Sequence, residues 1–263
     1  MTQYILKNHS ESNILIVFAN TGKERPETLD FVKKCSEEWN VHIHWIEYNP
    51  QEKQGYKNWF KVVDYETASR NGEPFEKFIK KERLPNSAYP NCSGRLKQRP
   101  LQNYAKHFFK GHPYYTAIGI RYDEQHRIKW DSAQKNKYWY PLAVDFPITK
   151  EFIHNYWSSQ TFTLNLKSYE GNCDCCWKKS NRKLYTIAKE SPEYFEWWAE
   201  MEEKNGDGFN FFRNNRSAKE ILEESKKFPL KYYAKCDTKT TELKNNQLSF
   251  FDLDNESKCN CLY

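Results

Sequence analysis

Eight cysteines stand in a chain of 263 residues, and their spacing is uneven. Cys173 and Cys176 form a C-x-x-C pair inside Gly171-Asn172-Cys173-Asp174-Cys175-Cys176-Trp177-Lys178-Lys179-Ser180. That spacing lets two thiolates chelate one metal ion or cluster, and it is equally the spacing of a redox pair. Two thiolates do not complete a four-thiolate site. Cys92 is the natural third ligand, and Cys175, Cys259 or Cys261 can supply a fourth. Soft thiolates suit an iron–sulfur cluster or structural zinc, and metal-free redox or inert thiols stay open beside both. Cys35 falls on the apolar face of a helix and reads as structural.

Two further groups carry chemistry. Arg95 and Lys97, in Asn91-Cys92-Ser93-Gly94-Arg95-Leu96-Lys97-Gln98-Arg99-Pro100, suit phosphate or sulfate, Arg by bidentate hydrogen bonds. Arg121 and Arg127 follow an apolar run and can clamp an anion, with Glu124 orienting one of them. His42 and His44, two apart in VHIHWIEY, read as strand histidines rather than metal ligands.

The element that must position these groups is Ile14 to Val32. Ile14-Leu15-Ile16-Val17-Phe18 is an apolar, β-branched run, as in a parallel strand buried on both faces. Asn20-Thr21-Gly22 supplies turn chemistry, and Pro26 fits the first turn of a helix. Leu29, Val32, Cys35 and Trp39 then recur at helical spacing. Ligands of open α/β sheets sit beyond the carboxyl ends of strands, which puts Asn20 to Thr28 at the expected site. Glu24 and Glu27 repel a bare phosphate there, so ribose or adenine is the better guess for what this turn faces. Val41–Tyr48 and Tyr115–Arg121 are the next strands expected. Helices are expected at 74–82, after Pro100, after Thr149 (burying Phe152, Ile153, Tyr156 and Trp157), after Ser191-Pro192, and behind the Ser217/Glu220 capping box. Residues 130–147 read as irregular, and 237–258 as a loosely ordered tail.

Phe18-Ala19-Asn20-Thr21-Gly22 with Pro26-Glu27-Thr28 resembles the second strand–turn–helix of the phosphoadenosine phosphosulfate (PAPS) reductase family, in particular its phage-type branch. That family belongs to the adenine nucleotide α-hydrolase-like, or N-type ATP pyrophosphatase, superfamily. Gly119-Ile120-Arg121 followed by Glu124 is similar to another family element, and Gly171 to Ser180 to a third. Cys175 departs from the small residue usual at its place, which leaves the ligand set open. The resemblance implies an α/β fold with an open, mostly parallel Rossmann-like sheet, flanking helices and a helical C-terminal half. It implies nucleotide contacts from Phe18, Asn20, Thr21, Gly22, Glu27, Thr28, Arg95, Lys97, Gly119, Arg121, Glu124 and Arg127. Relatives carry a [4Fe–4S] cluster on cysteines, so Cys92, Cys173, Cys175 and Cys176 are the metal candidates, with zinc as the alternative. Cys259-Asn260-Cys261 is similar to the family's C-terminal nucleophilic cysteine, although the Glu-Cys-Gly tail is missing. The family's first strand and its Ser-Gly-Gly-rich pyrophosphate loop would precede Met1. A clipped start, a partner chain supplying that strand, or a degenerate protein would each account for this.

The expected organisation is a nucleotide-binding core over 1–147, a helical cysteine-containing region over 148–228, and a polar tail over 229–263. A net charge of +6 permits a polyanionic partner without requiring one. Neither a membrane-length apolar run nor a signal-peptide core is present, so the expected location is the cytoplasm (the host cytosol if virus-encoded), where thiols stay reduced. Three functions follow as expectations. The first is an enzyme acting on an adenine sulfonucleotide by thiol or iron–sulfur chemistry. The second is an ATP-dependent sulfurtransferase acting on tRNA or DNA. The third is an inactive nucleotide-binding or interaction protein, if Met1 is the true start. A homo-oligomer is compatible with each.

Overall fold

The apolar run after Ser12-Asn13 forms strand β1, Ile16–Asn20, whose last two residues are buried while its first three are half-covered. A turn leads into α2, Pro26–Glu38, with Pro26 in its first turn, where a missing N–H is harmless. Leu29 and Cys35 lie on its buried face. The chain returns as β2, Ile43–Tyr48, parallel to β1 with Ile16 opposite Ile43 and Asn20 opposite Glu47. Strand β3, Phe60–Val63, adds antiparallel to β2, giving the order β1-β2-β3. This is a computed structural model, and it describes residues 1–50, 59–205, 212–213 and 215–228.

The architecture is mixed α/β with a small, parallel-containing sheet, as the sequence leads one to expect. A short α1, Thr2–Asn8, precedes β1, and α3, Glu73–Lys81, follows β3. Residues Ser93–Gln98 make a π-helical turn that runs straight into α4, Arg99–Phe108. The expected strand Tyr115–Arg121 is much shorter than its apolar pattern implies. Only Thr116–Ala117, β4, pairs, and it pairs in parallel with β5, Tyr138–Trp139, in a separate two-stranded ladder. Among the described residues, β1 has β2 on one side and no strand on the other. The stretch read as irregular is also ordered, carrying α5, Trp130–Asn136, and β5.

Helix α6, Lys150–Ser158, starts where Thr149 accepts a hydrogen bond from the Phe152 N–H at 3.3 Å. It does not bury the face its sequence offers. Phe152 is 48% exposed, and Trp157 reaches inward by packing on Phe31 at 5.0 Å. Three helices complete the second half: α7, Asn181–Glu190, α8, Glu193–Lys204, and α9, Ala218–Ser225. The largest apolar core draws on both halves of the chain, placing Tyr48, Phe75 and Phe78 against Tyr169, Leu184 and Trp198. Phe75 meets Trp198 edge-on at 5.1 Å. No helix among the described residues is long and apolar enough to cross a membrane. The strand histidines stack edge-on at 4.2 Å, and His44 Nδ1 lies 2.7 Å from the Tyr104 hydroxyl.

The expected capping box of α9 is present, with Ser217 Oγ accepting from the Glu220 N–H at 3.0 Å and Glu220 Oε2 accepting from the Ser217 N–H at 2.7 Å. Behind it, Glu202 of α8 accepts the Phe212 and Ala218 N–H groups at 2.6 and 2.8 Å. Burial pushes the Glu202 carboxyl up to about 7 in spite of those two donors. A carboxyl raised on folding binds a proton more tightly in the native state than in the unfolded chain. Its contribution to stability is therefore fully present at low pH and is lost as pH rises toward 7. Melting temperatures measured from pH 5 to pH 8 should fall further for the wild type than for Glu202→Gln, whose neutral amide cannot ionise.

Candidate functional site at the tip of the first strand

Beyond Asn20 the backbone must turn sharply, and Gly22 takes φ +76° to do so. The turn is held from within. Asn20 Oδ1 accepts the Gly22 N–H at 3.1 Å, while Asn20 Nδ2 donates to Glu47 Oε1 and to the Ser69 carbonyl, both at 2.8 Å. Glu47 also accepts the Ser69 N–H and hydroxyl, so the tips of β1 and β2 are tied through one buried carboxylate. Glu24 Oε2 accepts both the N–H and the hydroxyl of Thr21 at 2.7 Å.

The next three residues leave the turn extended and pair with the cysteine loop. The Arg25 N–H donates to the Asn172 carbonyl at 2.7 Å, and the Asp174 N–H donates to the Lys23 carbonyl at 2.8 Å. Glu24 and Cys173 are thus the central, non-hydrogen-bonded pair of a short antiparallel ribbon. In such a pair the side chains stand close together on one face. Flanking residues of a ribbon point to the other face. Lys23 meets Asp174 there at 2.6 Å, both buried, and Arg25 Nη1 meets Glu170 at 3.0 Å. Burial pushes the Asp174 carboxyl up to about 6 against the pull of Lys23.

On the Glu24 face, Lys97 Nζ lies 3.1 Å from Glu24 Oε1. Cys173 feels the charge of Lys97 and Glu24 and, beyond them, of Cys176 and Cys92. Burial raises the Cys173 thiol, Lys97 opposes that shift, and Glu24 and the other two thiols add to it. Cys175 lies elsewhere: it is fully enclosed in the main apolar core, where burial raises its thiol as well. Cys35 is buried beneath α2, and burial pushes its thiol up to about 12.

The remaining candidates are dispersed. Phe18 packs into the apolar cluster under α2, its ring 4.8 Å from Trp45. Glu27 and Thr28, in the first turn of α2, present Oε2 and Oγ1 as buried atoms without a hydrogen-bond partner. Arg95 pairs with Glu82 at 3.0 Å, at the start of the π-helical turn that carries Cys92 and Lys97. Arg121, Glu124 and Arg127 form a cluster of their own on the 3-10 turn Tyr122–Arg127. There Glu124 pairs with Arg127 at 2.6 Å and Arg121 at 3.4 Å, and Arg121 also holds Asp123. Gly119 sits near Met1, 3.7 Å separating the Met1 sulfur from where a Cβ would stand. Cys259 and Cys261 lie outside the described residues.

With the geometry fixed, comparison with known proteins supplies the lineage. The phosphoadenosine phosphosulfate reductase domain matches residues 1–165. The chain belongs to the PAPS reductase family. An uncharacterized nin region protein of Escherichia phage lambda is 33% identical over 189 residues, covering 70% of this chain and 63% of its own length. An uncharacterized protein of Methanocaldococcus jannaschii is 24% identical over 210 residues, covering 77% of this chain and 44% of its own length. The chain thus spans less than two thirds of either of these relatives. No solved structure matches significantly.

Residue-by-residue reading of this PAPS reductase family chain overlooked Lys23, Arg25, Glu170 and Asp174, the ion pairs behind the ribbon. The available signal was charge placement: three consecutive charged residues directly after a glycine turn, and an aspartate between two cysteines. Gly72, with φ +93°, leaves room for Lys23 and Trp197, and a Cβ there would come within 2.6 Å of the Trp197 ring. Removing one partner of a buried ion pair costs about 3–5 kcal/mol. Lys23→Met should therefore lower stability in urea by roughly that amount and should speed alkylation of Cys173 and Cys176 by iodoacetamide. Gly72→Ala should speed the same alkylation through the displaced Trp197 and Lys23.

Proposed function

We propose that this protein binds an adenine nucleotide or sulfonucleotide at the carboxyl end of β1 and acts on it with the adjoining thiols, as a PAPS-reductase-type enzyme. The observation that carries this reading is the pairing of Glu24 with Cys173, which sets the cysteine loop against the turn where an α/β sheet receives its ligand. The unpartnered Glu27 Oε2 and Thr28 Oγ1 support it, because buried polar atoms without partners ask for a ligand or water. A ribose hydroxyl or the adenine amino group can donate to Glu27, and a ribose oxygen or adenine ring nitrogen can accept from Thr28, whereas a bare phosphate would be repelled by Glu27. Arg95 and Lys97 are the candidate cations for an anion elsewhere on the nucleotide, each sharing its charge with a glutamate, Glu82 or Glu24.

Soft thiolate chemistry supports a thiophilic centre as part of this proposal. Cys92, Cys173 and Cys176 would hold it, and Cys175 is turned away into the core. A fourth donor can come from Cys259 or Cys261 or from a ligand. An iron–sulfur cluster bound there would supply electron transfer or sulfide handling, and zinc would supply Lewis-acid or structural binding. Around such a centre the chain's own residues have separate tasks. The ribbon fixes where Cys173 stands, Lys97 compensates Glu24 beside it, and the Lys23–Asp174 pair holds the far face. The reading calls for a reducing compartment in which these thiols remain reduced. A second reading, sulfur transfer to a tRNA or DNA base with ATP activation, gains from the cations stacked on Trp59 and Tyr89.

Anaerobically purified protein should show visible charge-transfer absorption that Cys173→Ser and Cys176→Ser abolish and Cys175→Ala leaves in place. A colourless protein carrying stoichiometric zinc would select zinc instead. Calorimetric titration with adenosine phosphosulfate, PAPS and ATP should give saturable binding, weakened about tenfold by Thr28→Val, the worth of one hydrogen bond. Absence of binding by any of the three would overturn the nucleotide reading.

A further inference from the structure

Tyr48 ends β2, so its side chain stands at the carboxyl end of the strand next to β1. It is 1% exposed, and its hydroxyl has no hydrogen-bond partner. The charges acting on that hydroxyl are those of Glu82, Arg95 and Arg99, together with Tyr89. These residues open onto a surface in which cations and rings alternate. Lys81 Nζ lies 4.5 Å and Arg99 Cζ 4.2 Å from the centre of the Trp59 ring, and Arg83 Cζ lies 5.1 Å from that of Tyr89. Glu82 binds both the Tyr89 hydroxyl and Arg95, while Lys77 reaches Asn49. Trp59, Tyr89 and Cys92 all pack against the same apolar core, and Tyr89 lies three residues before Cys92 in the chain.

Among the described residues, Lys81, Arg83 and Arg99 meet aromatic rings and no carboxylate. A mononucleotide would engage one or two such charges. Here they are distributed over α3, the loop after it and α4, which is the layout of an extended polyanion. Arginine planes and tryptophan faces also stack on nucleobases with little regard for sequence.

We propose that the surface formed by Trp59, Lys81, Arg83, Tyr89 and Arg99 binds single-stranded nucleic acid, its phosphates on the cations and its bases on the ring and guanidinium faces. Its purpose rests on the sulfur-transfer reading, but its location does not. The test is fluorescence anisotropy of a labelled single-stranded oligonucleotide, as RNA and as DNA of one sequence, titrated with the full-length protein. Three neutralised phosphates give a slope of log affinity against log salt of about −2. Lys81→Glu with Arg83→Glu should weaken binding at least tenfold and flatten that slope. Trp59→Ala should weaken it through lost stacking, and Lys34→Glu, on α2, should leave it unchanged. Undiminished affinity in the charge-reversed protein, or no salt-sensitive binding in wild type, overturns the proposal. Titrating ATP and PAPS into the same preparations separates the two readings. Adenine nucleotide binding without oligonucleotide binding removes this surface and keeps the nucleotide site, and the opposite pattern does the reverse.

Discussion

The site depends on the antiparallel pairing of Lys23–Arg25 with Asn172–Asp174. It joins segments separated by about 150 residues, and only two backbone hydrogen bonds make it. Alternation along a ribbon assigns Glu24 and Cys173 to one face and Lys23 and Asp174 to the other. A slip of one residue would exchange the faces, sending Cys173 toward the ion pairs and Asp174 toward the thiols. The buried Lys23–Asp174 contact opposes that slip, since a displaced register would leave an ammonium and a carboxylate desolvated and unpaired. The net stability from such a pair is small. Its effect on register is large, because the misregistered alternatives carry the full desolvation cost.

Everything else at the strand tip accommodates that pairing. Glu47 gathers Asn20 and Ser69 so that β1 and β2 end together, and Gly22 and Gly72 let two backbones and Lys23 pass where side chains would collide. Lys97 arrives from the π-helical turn, the same segment that brings Cys92. One irregular turn therefore delivers both a thiol and the counter-charge of Glu24. An inserted π-turn is a means of re-aiming side chains that a regular helix would point elsewhere.

Local patterns in the sequence were sufficient for much of this. The β1–turn–α2 unit, α3, α4, α8 and the Ser217/Glu220 cap follow from apolar periodicity and capping chemistry, each acting within a few residues. The misses share a different cause. Tyr115–Arg121 has strand composition, yet pairing depends on what lies beside it, and only Thr116 and Ala117 find a partner. Helix α6 has an apolar face that stays largely uncovered, since periodicity states which face could be buried and not whether anything packs there. Cys175 resembles its neighbours in sequence and differs from them in burial, since the chain bends at Asp174 and Cys175, just past the ribbon, and sends it into the main core. The partners Lys23–Asp174 and Arg25–Glu170 are invisible to any window shorter than the separation between them.

This geometry also narrows what can recognise a ligand. Asn20 and Thr21 look like the recognition residues from their types and place, but their side-chain groups are already taken by Glu47, Ser69, Gly22 and Glu24. Their task is to shape the turn. Unspent hydrogen-bonding capacity lies one step further along, at Glu27 Oε2 and Thr28 Oγ1 on the first turn of α2. Leaving such atoms unpaired in the folded protein costs roughly 1–3 kcal/mol each. A ligand that satisfied them would gain that amount on binding, so the proposed nucleotide would be selected at the opening of α2 rather than at the glycine turn before it.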